Sequence, residues 1–384
     1  MGDVDALRGV LTERSTDRAT MLPALAYTSP EVLGWELRHV FAGTWTCLGR
    51  LDQLLPQALQ RAVAVGDVPG LLVRDGERVR LFANTCRHRG HELLAPGGEE
   101  PGAGVTSGHR SVVCPYHAWS YRLDGSLLAA PGFQQVDGFD DTDHALAELP
   151  VEVWGGWVFG HGVHPLGEGE APSFEEHLGA LRGVVEPYHP ERLVPAARHT
   201  YEIAANWKVI AENYHECYHC PLIHPELCRV SPPTSGDNYD LPGAWVGGSM
   251  VLRDGMATMS LTGESGGHPI PGVPATKVEY VHLLPNLLVS AHPDYVMTHR
   301  LVPLAPDRTW VECTWSFQPG ADGGVPDPAY AVDFWDLTNR QDWAACESVQ
   351  RGLASPHFRP GPFAPNEDAV ASLVRALSDW YVAG

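Results

Sequence analysis

Residues 86–90 read CRHRG and residues 114–119 read CPYHAW, and these two short stretches decide how the 384-residue chain folds. Each sets one cysteine beside one histidine on a tight loop, Cys86 with His88 and Cys114 with His117. Together the loops offer two thiolates and two imidazoles. A [2Fe–2S] centre with two Cys on one iron and two His on the other takes this donor set, and its neutral imidazoles raise the reduction potential above that of an all-thiolate cluster. Structural zinc also takes two Cys and two His, but zinc fingers favour C-x2–4-C pairs, whereas both loops here mix the two residue types. Gly90 and Pro115 shape the loops. Around them the chain is a succession of short β-like runs at 62–65, 70–73, 79–82, 111–113, 119–121, 151–154 and 157–159, with turn signals at Asp75-Gly76 and Asp124-Gly125. This stretch is expected to be a small all-β domain.

Composition bounds the remainder. The length suggests two domains, with a third as the upper limit. Hydrophobic residues make up 44% and Trp occurs twelve times, as in an ordinary folded protein. With 47 acidic against 26 basic residues the formal charge is −21, which argues against a nucleic-acid binder. The first residues, MGDVD, show neither a basic n-region nor an apolar stretch, and no run approaches the roughly twenty apolar residues that cross a bilayer. A cytoplasmic location without membrane contact is expected. There, the eight cysteines should be thiols or metal ligands rather than disulfides.

Residues 31–48 suggest a helix entering an aromatic-rich strand, and the Gly-, Pro- and Glu-rich residues 161–175 read as a linker. Beyond them, helices at about 174–185, 205–219, 327–353 and 366–381 mix with strands at about 277–291, 295–303 and 308–317, while 231–275 reads as a long loop. The fold class is therefore α+β. Its expected divisions are an N-terminal helical segment (1–40), the all-β domain (41–162) and a catalytic domain (163–384).

A second constellation lies in residues 206–226, NWKVIAENYHECYHCPLIHPE. On one continuous helix His219 and His224 would point about 140° apart, poorly placed to share an ion. Pro221 predicts that the helix stops at Cys220, letting His224 fold back towards His219. Two ordinary histidines would carry the same letters. Two imidazoles plus one carboxylate form the facial triad of non-haem Fe(II) that activates O2. The carboxylate is sought in helix 327–353, where Asp342 falls on an apolar stripe running Ala331, Trp335, Cys346, Val349 and Leu353. A carboxylate on a buried face needs a partner, whether a cation, an ion pair or a cap.

These motifs resemble those of the Rieske non-haem iron ring-hydroxylating oxygenases, specifically their α (oxygenase) subunits. CRHRG with CPYHAW is similar to the family's cluster motif, NWK…ENYHECYHCPLIHP to its mononuclear iron motif, and QDWAACESVQRG to its later helix. The resemblance runs from about residue 35 to 355. Two departures stand out. Twenty-five residues separate His88 from Cys114, more than is usual, and the Gly-rich 97–104 segment reads as a surface insertion. Gln341 stands where an acidic residue is common.

The resemblance implies a Rieske [2Fe–2S] cluster on Cys86, His88, Cys114 and His117, mononuclear Fe(II) on His219, His224 and Asp342, and Asn213 near that iron. It implies a helix-grip catalytic domain, an antiparallel sheet flanked by helices. It further implies that Glu216, one helical turn before His219, links His219 to His117 of the neighbouring subunit in a homotrimer. O2 is the co-substrate. With no dinucleotide-binding G-x-G-x-x-G and no further cysteine set, NAD(P)H would act only through a separate flavin/iron–sulfur reductase, with or without a ferredoxin. Arg87, Arg89, His91, His109 and Arg110 form a basic set near the cluster loops that would steer an acidic redox partner. The tract ECYHCPLIHPEL is similar to the branch that hydroxylates or N-demethylates small N-methylated, betaine-like ammonium compounds. Aromatic-ring hydroxylation, amine N-oxygenation and, from another class, an electron carrier without oxygenase activity are the alternatives.

Overall fold

The computed structural model of the protein describes residues 2–13, 19–57, 59–96, 106–162 and 172–383. The Gly97–Gly104 insertion lies outside the described residues, as does most of the 161–175 linker. The chain forms two compact units, Glu36–Phe174 and Met1–Trp35 with Glu175–Gly384.

In the first unit the alternating runs pair as expected. Gln60–Val65, Val68–Asp75 and Arg78–Ala83 form the centre of a five-stranded antiparallel sheet. Ser111–Val113, Ser120–Arg122 and Leu127–Ala129 form a three-stranded one, and Thr46–Arg50, Trp157–Gly160 and Val151–Trp154 another. The Asp124-Gly125 turn needs its glycine: Gly125 has φ +86°, and a Cβ there would sit 2.5 Å from the Phe82 ring. Leu71, Phe82, Trp119 and Tyr121 build a core that also takes in Cys86 and Cys114.

The second unit is built on a seven-stranded antiparallel sheet. Its spatial order is Val194–Ile203, Arg308–Phe317, Tyr295–Ala305, Leu287–Ala291, Lys277–Leu283, Trp245–Val251 and Asp237–Asn238. On Tyr295–Ala305 the period-2 alternation places Tyr295 and His299 on one face. The 25-residue helix Ala329–Leu353 covers that face. Its Trp335 donates to Tyr295 Oη (2.7 Å), and His299 Nε2 donates to Asn339 Oδ1 (3.1 Å). Burying a ring the size of Trp335 contributes about 1.5–3 kcal/mol. The C-terminal helix Asp368–Ala383 meets the N-terminal helix Asp3–Thr12, where Arg8 Nε donates to Tyr381 O at 2.8 Å.

Four expectations are corrected here. Residues 277–291 are two strands with a turn at Leu284–Asn286, not one. The 231–275 segment is not all loop, because Trp245–Val251 pairs with Lys277–Leu283 and Asp237–Asn238 completes the sheet edge. Its glycine pair, Gly247-Gly248, hides the strand pattern yet suits a ladder in which a Cβ at Gly247 would meet Tyr280 O at 2.2 Å. Residues 174–185 form two short helices, Phe174–Leu178 and Leu181–Val185, broken where Gly179 takes φ +49°. Finally, Val349 is 43% exposed and off the buried stripe, which passes through Cys346, Gln350 and Leu353 instead. A seven-residue repeat drifts by roughly 20° per heptad on a 3.6-residue helix, and two heptads from Trp335 suffice to carry Val349 outward.

Candidate functional site

In the Glu36–Phe174 unit each loop of the first constellation closes on itself. Gly90 N–H donates to Cys86 O (3.0 Å) and Ala118 N–H to Cys114 O (3.1 Å), with Gly90 and Ala118 in the left-handed region. The closures turn both thiols inward, where Cys86 and Cys114 are neighbours, buried and outside any disulfide. Tyr121 Oη sits 3.3 Å from Cys86 Sγ and accepts the Arg87 N–H at 3.0 Å. His88 and His117 are half-buried with ring centroids 4.8 Å apart, and Trp119 stacks on His88 at 5.0 Å. His88 Nδ1 is buried without a hydrogen-bond partner, which a metal bond would supply. Two buried thiols and two half-buried imidazoles on adjoining loops fit a centre with one iron on sulfur and one on nitrogen.

In the other unit, residues 206–226 do not form the helix expected to run to Cys220. Asn206 Oδ1 accepts the Lys208 N–H at 3.0 Å and starts a helix that lasts only from Trp207 to Tyr214. A second helix, Cys220–Ile223, begins with Pro221 in its first turn. Proline lacks the N–H that a first turn leaves unpaired anyway, so here it opens a helix rather than ending one. Glu216 is therefore not one helical turn from His219. It lies in the intervening turn, where its carboxylate accepts the N–H groups of Tyr218 and His219 (the latter at 3.1 Å) and His219 Nδ1–H. A second correction lies in the same turn: Cys217 and Cys220 form a disulfide, their Cα atoms 4.9 Å apart. Such a pairing depends on how the turn closes, which cysteine counting does not reveal.

The turn and the short helix bring the second constellation together. His219 Nε2 lies 3.1 Å from His224 Nε2, and Asp342 Oδ1 is 2.8 Å from His224 Nε2 and 3.3 Å from His219 Nε2. Donors about 2.1 Å from one octahedral ion lie about 3 Å apart at right angles, so these three atoms fit one face of such an ion. Both Nδ1 atoms are committed elsewhere, His219 to Glu216 and His224 to Gln341 Oε1 at 2.7 Å, which leaves both Nε2 lone pairs for a metal. Gln341, seen in the sequence only as a departure, is thus an orienting partner. Burial pulls His219 down, but Asp342 and Glu216 outweigh it and lift the imidazole to about 9. The site attracts positive charge.

The triad opens onto a cavity of about 190 Å³ that Asn213 and Glu216 also line. Five rings form an arc around it in the order Trp335, Tyr280, Tyr214, His299, Trp343. Successive centroids are 6.1–6.4 Å apart, and neighbouring planes are tilted by 66–87°. Tyr214 is fixed by Val289 O and Ser290 Oγ, both 3.0 Å away. Burial holds His299 down at about 4 despite its bond to Asn339, so its ring is neutral at pH 7. The arc was not foreseen, since its members come from two helices and two strands.

Residues 44–140 match the Rieske [2Fe-2S] domain family, and residues 190–383 match the ring hydroxylating alpha subunit (catalytic domain) family. The chain belongs to the Rieske-type ring-hydroxylating oxygenases. The expected resemblance, fold class, enzyme class and pair of iron cofactors are all borne out. Among relatives of this oxygenase, the glycine betaine monooxygenase oxygenase subunit of Chromohalobacter salexigens is 30% identical over 98% of this chain and 88% of its own. The carnitine monooxygenase oxygenase subunit of Acinetobacter baumannii is 35% identical over 54% of each chain. The crystal structure of the quaternary ammonium Rieske monooxygenase CntA superposes with a TM-score of 0.75 at 24% identity, covering 95% of this chain and 96% of that one, which shows a shared fold. Among the described residues no helix is long and apolar enough to cross a membrane.

Proposed function

We propose that this oxygenase hydroxylates the N-methyl carbon of a small, betaine-like N-methylated ammonium compound, using O2 and electrons from a separate flavin/iron–sulfur reductase, with or without a ferredoxin. The observation that carries the reading is the aromatic arc beside the triad. Aromatic faces attract a cation by about 0.5–2 kcal/mol each, and the charged groups of the cavity lining are carboxylates or the triad histidines. A cavity near 190 Å³ is also small beside the roughly 300–1,000 Å³ of drug-sized ligands, which suits a compact ammonium ion. The relatives named for glycine betaine and carnitine point the same way.

In this reading Cys86, His88, Cys114 and His117 hold the cluster, and His219, His224 and Asp342 hold the mononuclear iron, which supplies the O2-activating chemistry when bound. Tyr280, Tyr214 and the indoles orient the cation so that one methyl group faces the triad. Asn213 borders the same space. Glu216, already hydrogen-bonded to His219 Nδ1, offers its carboxylate to the partner's His117 in a homotrimer. Tyr218 (64% exposed), in the same turn as Glu216, and Leu222 (91% exposed), on the short helix that follows it, offer apolar surface that suits contact with another copy. The exposed Arg87, Arg89, His91, His109 and Arg110 favour an acidic electron donor. A cytoplasmic setting completes the reading.

Hydroxylation at an N-methyl carbon gives a carbinolamine that releases formaldehyde. The test is turnover with a surrogate reductase against betaine, carnitine and choline, with formaldehyde measured against NADH consumed. Stoichiometric formaldehyde supports the proposal. Hydroxylated arenes or N-oxides instead of formaldehyde overturn the substrate assignment, and a protein that only shuttles electrons overturns the oxygenase reading.

A further inference from the structure

Glu216, Cys217, Tyr218, His219 and Cys220 form one turn between the helices Trp207–Tyr214 and Cys220–Ile223. Three restraints fix it. The Glu216 carboxylate takes two backbone N–H groups, Cys220 N–H donates to Cys217 O at 3.3 Å, and the Cys217–Cys220 disulfide closes the turn covalently. The only residues enclosed by the disulfide are Tyr218 and His219. Closing so short a loop removes little entropy from the unfolded chain, so the bond matters locally rather than for global stability.

We infer that the Cys217–Cys220 disulfide is a positioning element for the mononuclear metal site, and that its reduction by a dithiol loosens that site. The inference rests on His219 being a metal ligand. Its imidazole must keep Nε2 within about 3 Å of His224 and Asp342 while Nδ1 stays on Glu216, and the disulfide spans the backbone from which that ring projects. Both cysteines line the cavity, and Cys217 is half-buried, so a small dithiol can reach the sulfurs through the cavity mouth. In the reaction the dithiol gives two electrons and two protons. The Cys217–Cys220 S–S bond breaks to two thiols, and the dithiol closes to its own cyclic disulfide. An occupied cavity should shield the bond, so an ammonium ligand slows the reduction.

The experiment uses the full-length protein with its Rieske cluster intact. Alkylation after denaturation and metal removal counts thiols, of which six are expected before reduction (Cys47, Cys86, Cys114, Cys228, Cys313 and Cys346) and eight after. Cobalt(II) then titrates the mononuclear site, read by its visible bands. Cobalt affinity should fall about tenfold in the reduced form, the usual scale when an orienting partner of a ligand is lost. Cys217→Ser/Cys220→Ser should bind as weakly with or without dithiol, which controls for chelation by the reductant. If that variant fails to fold, the comparison of oxidised and reduced wild-type protein decides alone. Eight thiols before reduction, or equal cobalt affinity in both forms, overturns the inference. Cobalt bound by neither form overturns the ligand assignment beneath it, and the inference falls with it.

Discussion

Asp342 sits half-buried on the long helix with two imidazoles as its neighbours, and hydrogen bonds to both hold its carboxyl below the usual range despite the cost of burial. Replacing it by alanine leaves two ligands where three are proposed. Asp342→Ala should keep the visible and EPR spectrum of the Rieske cluster but lose the third iron and at least 100-fold in turnover. Turnover that survived would transfer the role to another carboxylate. Glu216 separates metal binding from electron flow. Glu216→Gln preserves the size of the side chain but offers one acceptor oxygen instead of two. Both metal sites should stay filled, while reoxidation of the dithionite-reduced cluster by O2 in the presence of substrate slows by orders of magnitude. Fast reoxidation in a fully metallated protein would remove Glu216 from the path.

Individual elements show why the sequence was legible in some places and not in others. The iron-ligand candidates declare themselves because metal-binding side chains cluster in short motifs, and Asp342 follows from helical periodicity. Pro221 was misread because proline marks the start of a helix as readily as the end of one. The aromatic arc depends on distances between segments, which no local pattern contains, and the Cys217–Cys220 disulfide depends on how one short turn closes, which its spacing leaves open. The strand Lys277–Leu283 carries a further consequence. His282 is fully buried, Nε2–H donating to Pro285 O at 2.9 Å and Nδ1 lying 3.4 Å from His215 Nε2. Burial lowers it to about 4, against the Pro285 bond that raises it. Because the unfolded chain protonates this histidine near pH 6.5 and the folded one near 4, the stability it contributes is present above 6.5 and lost as pH falls towards 4. At pH 5 the loss is about 2 kcal/mol relative to pH 7. Denaturant midpoints should therefore drop over that interval, and His282→Gln should flatten the drop.

At the scale of the whole molecule, the proposed electron route runs between copies, so two defective chains should rescue each other. With the proposed ligands, Cys86→Ala should remove the cluster and Asp342→Ala the mononuclear iron. Coexpressed in one cell, the two variants should assemble mixed trimers with part of the wild-type turnover, in which the intact cluster of one chain serves the intact iron of the next. If each chain used only its own cluster, the mixture would be as inactive as its parents.

The isobutyl group of Leu222 has a further consequence, standing 91% exposed on the short helix Cys220–Ile223 that follows the Glu216 turn. If that surface is covered only in the assembled form, catalysis obeys mass action in the enzyme itself. Specific activity should hold constant at high protein concentration and then fall steeply once dilution passes the dissociation constant of the assembly. Leu222→Asp should move that threshold to higher concentration without altering the visible spectrum of the Rieske cluster.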